Sequence, residues 1–306
     1  MRLAFLLPVP RLRYLPVHTP LLPWPPSSFS HYTMATPAAR PPKTPKPPKP
    51  PAPAKREVKI LMLHGYTQSG PVFHGRTRAL EKILIKSLEP FGLAPVLIYP
   101  TGPKHLRPSD FPGFVPNEDA DPNAEEEETD SWAWWRHDFA TGEYRFLPEG
   151  MATMAAAIRE ANGIDGVLGF SQGGCAASLL AAAMEKDRIV PDATNAYGWD
   201  WVEEVRAAND HKPLRFAVIY SGFLPTIEEL QWLYTPAIST PTLQFIGGLD
   251  TVVDESRSQA LADHSQEPSV LTHPGGHFVP VKKEWVLPLV AFVKKHSEEA
   301  APKIEE

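Results

Sequence analysis

Gly166-Val167-Leu168-Gly169-Phe170-Ser171-Gln172-Gly173-Gly174 is the stretch on which the reading of this chain turns. Gly166–Phe170 reads as a strand buried on both faces. Gln172–Met184 (QGGCAASLLAAAM) reads as a helix of small residues. Ser171 is the single residue between them. Glycine at the second position on either side lets strand and helix approach at a turn too tight for Cβ atoms. A serine held there projects its Oγ above the sheet edge, at the positive end of the helix, where developing negative charge is favoured. A serine that merely capped an ordinary helix would not need both glycines. Cys175, one turn into the helix, reads as a small buried packing residue.

Outward from this turn, strand-like and helix-like segments alternate, the signature of a parallel sheet covered by helices. Val58–Leu63 and Ala94–Tyr99 precede it as strands, with helices at Arg76–Leu88 and Met151–Ala161. After it come strands at Arg215–Tyr220, Thr242–Ile246 and Val270–Thr272, and helices at Glu255–His264 and Glu284–His296. Two stretches interrupt the alternation, Thr101–Leu147 and Lys186–Pro213, and both read as long loops of one domain. The expected fold is an α/β-hydrolase fold: a mostly parallel central sheet flanked by helices.

In that fold a nucleophilic serine is followed along the chain by an acid and then a histidine. Of the 11 histidines, His264, His273, His277 and His296 lie late enough. His277, in the Gly275-Gly276 loop between the last strand and the last helix, is the candidate base; His273 is its rival. The acid belongs in the loop after Thr242–Ile246. Asp250 is the candidate, whereas Asp254 directly precedes a helix and is suited to cap it. The oxyanion donors are two backbone N–H groups, from Gln172 after the nucleophile and from Tyr66 in the loop after the first strand. His64 reads as the histidine that braces that loop.

The ends of the chain have a different character. Residues 1–56 hold 16 of the 36 prolines and nine of the 30 basic residues, with none of the 36 acidic ones. The run PPKTPKPPKPPAPAKR, residues 41–56, favours extended polyproline II and offers little to bury. Three parts are therefore expected: a disordered proline-rich tail over 1–55, the hydrolase domain over 56–297, and a disordered tail over 298–306. Residues 57–306 carry 21 basic against 36 acidic residues, a balance of −15 that argues against a nucleic-acid groove. Part of that excess is an acidic run at Glu118–Asp130, read as a solvated loop. With Cys175 the single cysteine, no intrachain disulfide forms. No apolar run approaches the ~18–20 residues that span a bilayer. A cytoplasmic or also nuclear protein is expected. The alternatives for the N-terminus are an organelle-targeting peptide or initiation at Met34.

Several of these pieces together, Lys59–Gly70 (KILMLHGYTQSG), Ser131–Arg136 (SWAWWR), the Gly166–Gly174 turn, Thr242–Asp250 and His273–Pro280 (HPGGHFVP), resemble the fungal family of serine hydrolases known as FSH, which includes the ovarian-cancer-associated 2 protein. The resemblance covers residues 57–296. It implies a small α/β-hydrolase without a separate lid domain and with esterase or thioesterase activity, and it carries a catalytic triad onto Ser171, Asp250 and His277. The Glu118–Asp130 and Lys186–Lys212 segments depart from it. Trp132, Trp134 and Trp135 are candidates to line an acyl pocket, with core packing, or one pocket residue and two core residues, as the alternatives. No metal or cofactor is expected, and the partner is a small-molecule ester or thioester. A rival from another class is a non-catalytic hydrolase-like protein whose proline-rich arm binds SH3 or WW domains.

Overall fold

Strand β1 (Arg56–Leu63) alternates its side chains between two cores. Val58, Ile60 and Met62 pack into one, and Leu61 and Leu63 into the other. This explains why the sequence there is continuously apolar: both faces of the strand are covered. The computed structural model describes residues 55–111, 129–138, 140–192 and 198–298. The five further strands are β2 (Leu93–Ile98), β3 (Gly166–Phe170), β4 (Phe216–Tyr220), β5 (Thr242–Gly247) and β6 (Ser269–His273). They form one sheet in the order β6-β5-β4-β3-β1-β2, and every pairing in it is parallel. β3 and β4 at its centre are buried at every residue. Each large apolar side chain so buried contributes about 1.5–3 kcal/mol.

Helices α1 (Gly70–Leu88) and α6 (Lys283–Ser297) cover one face of the sheet. The other face is covered by α2 (Leu147–Glu160), α3 (Gln172–Ala183) and α4 (Asp200–Ala208). Helix α3 is buried at all 12 residues, which its alanines and glycines make possible. The remaining helix, α5 (Glu255–Asp263), follows β5 and is capped by the Asp254 carboxylate, which accepts from the Arg257 N–H. This is an α/β-hydrolase fold. The chain leaves β1 through α1 to β2, then returns to β3 on the other side of β1. The loops after β1 and β3 therefore leave the sheet side by side while their helices lie on opposite faces, which opens a crevice at the C-terminal edge.

Three expectations need correction. Helix α1 begins at Gly70, not Arg76, because Ser69 caps it and Pro71 occupies its first turn. Lys186–Pro213 is not all loop: α4 lies inside it and buries Trp201, Val202, Val205 and Ala208 at helical spacing. Thr101–Leu147 contains two short antiparallel ribbons, Lys104–His105 with Trp132–Ala133 and Arg136–His137 with Tyr144–Arg145. The terminal tails, any targeting peptide and most of the acidic run lie outside the described residues. At their edges, Lys55 pairs with Glu89 at 2.6 Å, and Asp130 accepts from Ser69 Oγ at 2.7 Å. No described helix is long and apolar enough to cross a membrane.

Candidate active site

Ser171 has φ 55° and ψ −118°, a backbone conformation that a non-glycine residue holds only under constraint. The constraint is close packing around the turn. A Cβ at Gly169 would stand 1.9 Å from the Gly173 carbonyl oxygen, and one at Gly173 would stand 2.2 Å from that of Leu63. The two glycines thus let β3, α3 and the end of β1 meet, and the turn between them presents Ser171 at the sheet edge.

The other two side chains arrive from β5 and β6. In the sheet Gly247 pairs with His273. Beyond it the two loops are stitched together, Gly248 N–H to His273 O at 2.8 Å and Leu249 N–H to Gly275 O at 3.0 Å. This brings Asp250 Oδ2 to 2.7 Å from His277 Nδ1, and His277 Nε2 to 2.9 Å from Ser171 Oγ. A carboxylate only accepts, so Nδ1 carries the proton and donates it to Asp250. Nε2 is then the lone pair that accepts from the serine hydroxyl. Asp250 Oδ1 accepts from the N–H groups of Val252 and Val253, both at 2.9 Å. Burial by itself would raise the Asp250 carboxyl, but the His277 bond and the two N–H bonds together hold it below the usual carboxylate range. The carboxylate side chain is sealed from solvent, whereas 18% of the imidazole is exposed. The carboxylate is fixed, and the imidazole is partly open to solvent.

His273 is not part of this chain of bonds. It is buried against Phe278 and Trp285, and its Nδ1 accepts from Gly275 N–H at 3.2 Å. Asp254 is occupied at the helix end, where it accepts from Ser256 Oγ and Arg257 N–H. Ser171 opens onto a cavity of about 700 Å³ that Tyr66 and Gln172 also line. Among the described residues the backbone N–H groups of Tyr66 and Gln172 have no hydrogen-bond partner within the protein.

The described residues thus hold a serine–imidazole–carboxylate relay at the mouth of a cavity. A family model described as serine hydrolase (FSH1) matches residues 54–289. The chain belongs to the FSH1 serine hydrolase family. Relatives include a Schizosaccharomyces pombe protein named dihydrofolate reductase, 30% identical over 236 residues, which are 74% of this chain and 44% of that one. The chain thus spans less than half the length of that relative. The family of serine hydrolases 2 protein of Saccharomyces cerevisiae is 33% identical over 231 residues, 74% of this chain and 93% of its own. Esterase OVCA2 of Danio rerio is 29% identical over 238 residues, 73% and 90% of the two chains. Among solved structures, acyl-protein thioesterase 2 of Zea mays aligns with a TM-score of 0.48 and 20% identity, over 80% of this chain and 95% of its own.

In this FSH1-family hydrolase the three tryptophans part company. Trp135 is buried and lines the cavity, stacked 5.3 Å from Tyr144. Trp134 does not line it: the ring is fully buried, stacked 4.8 Å from His64, and its Nε1 donates to His64 O at 2.9 Å. Trp132 lies in the ribbon outside the cavity and donates to Asp130 Oδ1 at 3.0 Å. Consecutive extended residues point in opposite directions, so one short run cannot send all three rings the same way. The Gln172 side chain fixes this segment to the nucleophile turn, accepting from Trp134 N–H at 3.0 Å and donating to Trp135 O at 2.8 Å.

His64 braces the first loop. Its Nε2 accepts from Gly102 N–H at 2.9 Å, and its Nδ1 donates to Gly65 O at 2.8 Å. Burial outweighs the opposing effects of the Gly65 bond and the Asp130 charge and lowers its pKa to about 4. The sequence reading missed several residues that line the cavity, among them Arg136, Tyr144, Phe223, Thr226 and Arg257. The available signal was position: Phe223 and Thr226 follow β4, and Arg257 lies in the first turn after the acid loop. No group of three or more His, Cys, Asp or Glu side chains among the described residues is arranged to hold a metal ion.

Proposed function

We propose that this chain hydrolyses carboxylic esters or thioesters through an acyl-enzyme, with Ser171 as nucleophile, His277 as base and Asp250 as the residue that orients and stabilises the imidazole. His277 Nε2 takes the hydroxyl proton as Oγ bonds to the carbonyl carbon. The Tyr66 and Gln172 N–H groups receive the oxyanion. The imidazolium returns the proton to the departing alkoxide or thiolate, leaving the acyl group on Oγ. Water then gives a proton to Nε2 and its oxygen to the acyl carbon, and Oγ leaves reprotonated.

The observation that carries this reading is the unbroken relay from Asp250 to His277 to Ser171, with contacts of 2.7 and 2.9 Å at the cavity mouth. The zebrafish relative bears the name esterase. A fluorophosphonate probe tests the reading. The wild-type protein is expected to be labelled and to turn over a simple aryl ester, and Ser171→Ala to do neither. Labelling retained in the alanine variant overturns the assignment.

A further inference from the structure

Among the described residues the cavity wall carries two guanidinium groups, of Arg136 and Arg257, against one carboxylate, that of Asp110. Arg136 is committed within the protein, its Nη2 lying 2.6 Å from Asp110 Oδ1. Arg257 differs. Its guanidinium lies over the Phe223 ring, 4.8 Å from the centroid, with Nη1 3.5 Å from Val252 O. No carboxylate among the described residues forms an ion pair with it. Two acids, Asp254 and Glu255, lie within three residues of it; Asp254 is engaged by Ser256 Oγ and by the Arg257 backbone N–H at the helix end, and the Arg257 charge contributes to lowering its carboxyl.

Arg257 is exposed, and its charge also acts inward. Burial raises the Tyr144 hydroxyl and the fully buried Cys175 thiol, and Arg257 opposes the rise in both. Tyr144 lines the cavity and Cys175 lies on α3 behind the nucleophile, so the field of Arg257 reaches across the site.

The geometry points to a substrate that carries a carboxylate: the cavity selects anionic esters or thioesters, and Arg257 receives the anionic group. This rests on the ester-hydrolase reading and names the substrate class for the same site. A guanidinium offers a planar pair of donors that matches a carboxylate. Stacking on Phe223 holds that fork in place, so less freedom is lost on binding.

The test measures a ratio within one protein, so a change in folded fraction cancels. kcat/KM is determined for the 4-nitrophenyl half-ester of adipic acid and for 4-nitrophenyl hexanoate, which places the carboxylate on the acyl side. A second pair, 3-carboxy-4-nitrophenyl butyrate and 4-nitrophenyl butyrate, places it on the leaving side. In one of the two pairs the wild-type ratio of anionic to neutral substrate is expected to exceed one, and to fall roughly 10- to 100-fold in Arg257→Gln. Arg257→Lys is expected to fall between, and added salt to lower the wild-type ratio. Ratios equal in wild type and Arg257→Gln for both pairs, with turnover that Ser171→Ala abolishes, overturn this inference alone. Turnover that survives in Ser171→Ala, or is absent from the wild type, overturns the ester-hydrolase reading and this inference with it.

Discussion

His64 and His277 stand at the same edge of the same sheet, each beside a glycine and each with both ring nitrogens engaged. The difference lies in their partners. His64 is bonded on both sides to backbone, Gly65 O and Gly102 N–H, and is stacked on Trp134 out of reach of solvent. It joins two loops, and burial keeps it neutral. His277 is bonded on both sides to side chains, an acid and a hydroxyl, and part of its ring is exposed. Those partners can gain or lose a proton, so the same ring can relay one. An imidazole bound to backbone is a strut; one between a carboxylate and a hydroxyl is a base.

Replacing the carboxylate partner should break this contrast most severely. Asp250→Asn keeps the shape but lets the amide donate to Nδ1, which favours the wrong tautomer. A loss of about 10³–10⁴ in kcat is expected, the scale known for the same change in a serine protease, with Tm little altered. Steady-state kinetics and thermal unfolding on the same samples check both parts. A variant that keeps wild-type kcat would remove Asp250 from the relay.

His64→Gln should act on stability. It leaves the Gly102 N–H or the Gly65 carbonyl unpaired in the interior, a cost of about 1–3 kcal/mol. Its pH signature is specific. The folded imidazole binds a proton only near pH 4, whereas the unfolded one binds it near 6.5. Acid therefore protonates the unfolded chain first, and stability falls as pH drops through that window. Denaturant titrations from pH 7.5 to 4 are expected to show a shallower fall in His64→Gln than in wild type. Identical slopes would mean that His64 is protonated in the fold like an exposed histidine.

The smallest effect should come from the second aspartate of the acid loop. Asp254→Ala removes the cap of α5 and should cost about 1 kcal/mol, with kcat changed less than about tenfold. A large rate loss here, with Asp250→Asn still active, would exchange the roles of the two acids.

Much of this was legible along the chain because it is local. Each strand, the small-residue helix and the separate loops that carry the serine, acid and histidine follow from patterns within ten or so residues. Helix α4 was equally local, with Trp201, Val202, Val205 and Ala208 at helical spacing. It was read as loop because nine residues inside a polar stretch give a weak periodic signal. The tryptophans stayed open between pocket and core for a different reason. Trp132, Trp134 and Trp135 are nearly adjacent, but the strand, buried and cavity environments they enter are made by other segments.

The sequence by itself determined the turn at Ser171, since Gly169 and Gly173 are what that close approach requires, and it determined the cap at Asp254, which needs only the helix that follows. Tertiary structure alone decided that His277 rather than His273 faces the serine, that Asp250 lies beneath it, and that Trp135 and Arg257 share the cavity. Ser171 and His277 are 106 residues apart, and Asp250 and His277 are 27 apart. No local pattern sets a distance of under 3 Å between such positions. It is fixed by the parallel register of β3 to β6, which aligns the strand ends, and by the backbone bonds that tie the Gly248 and Gly275 loops together beyond them.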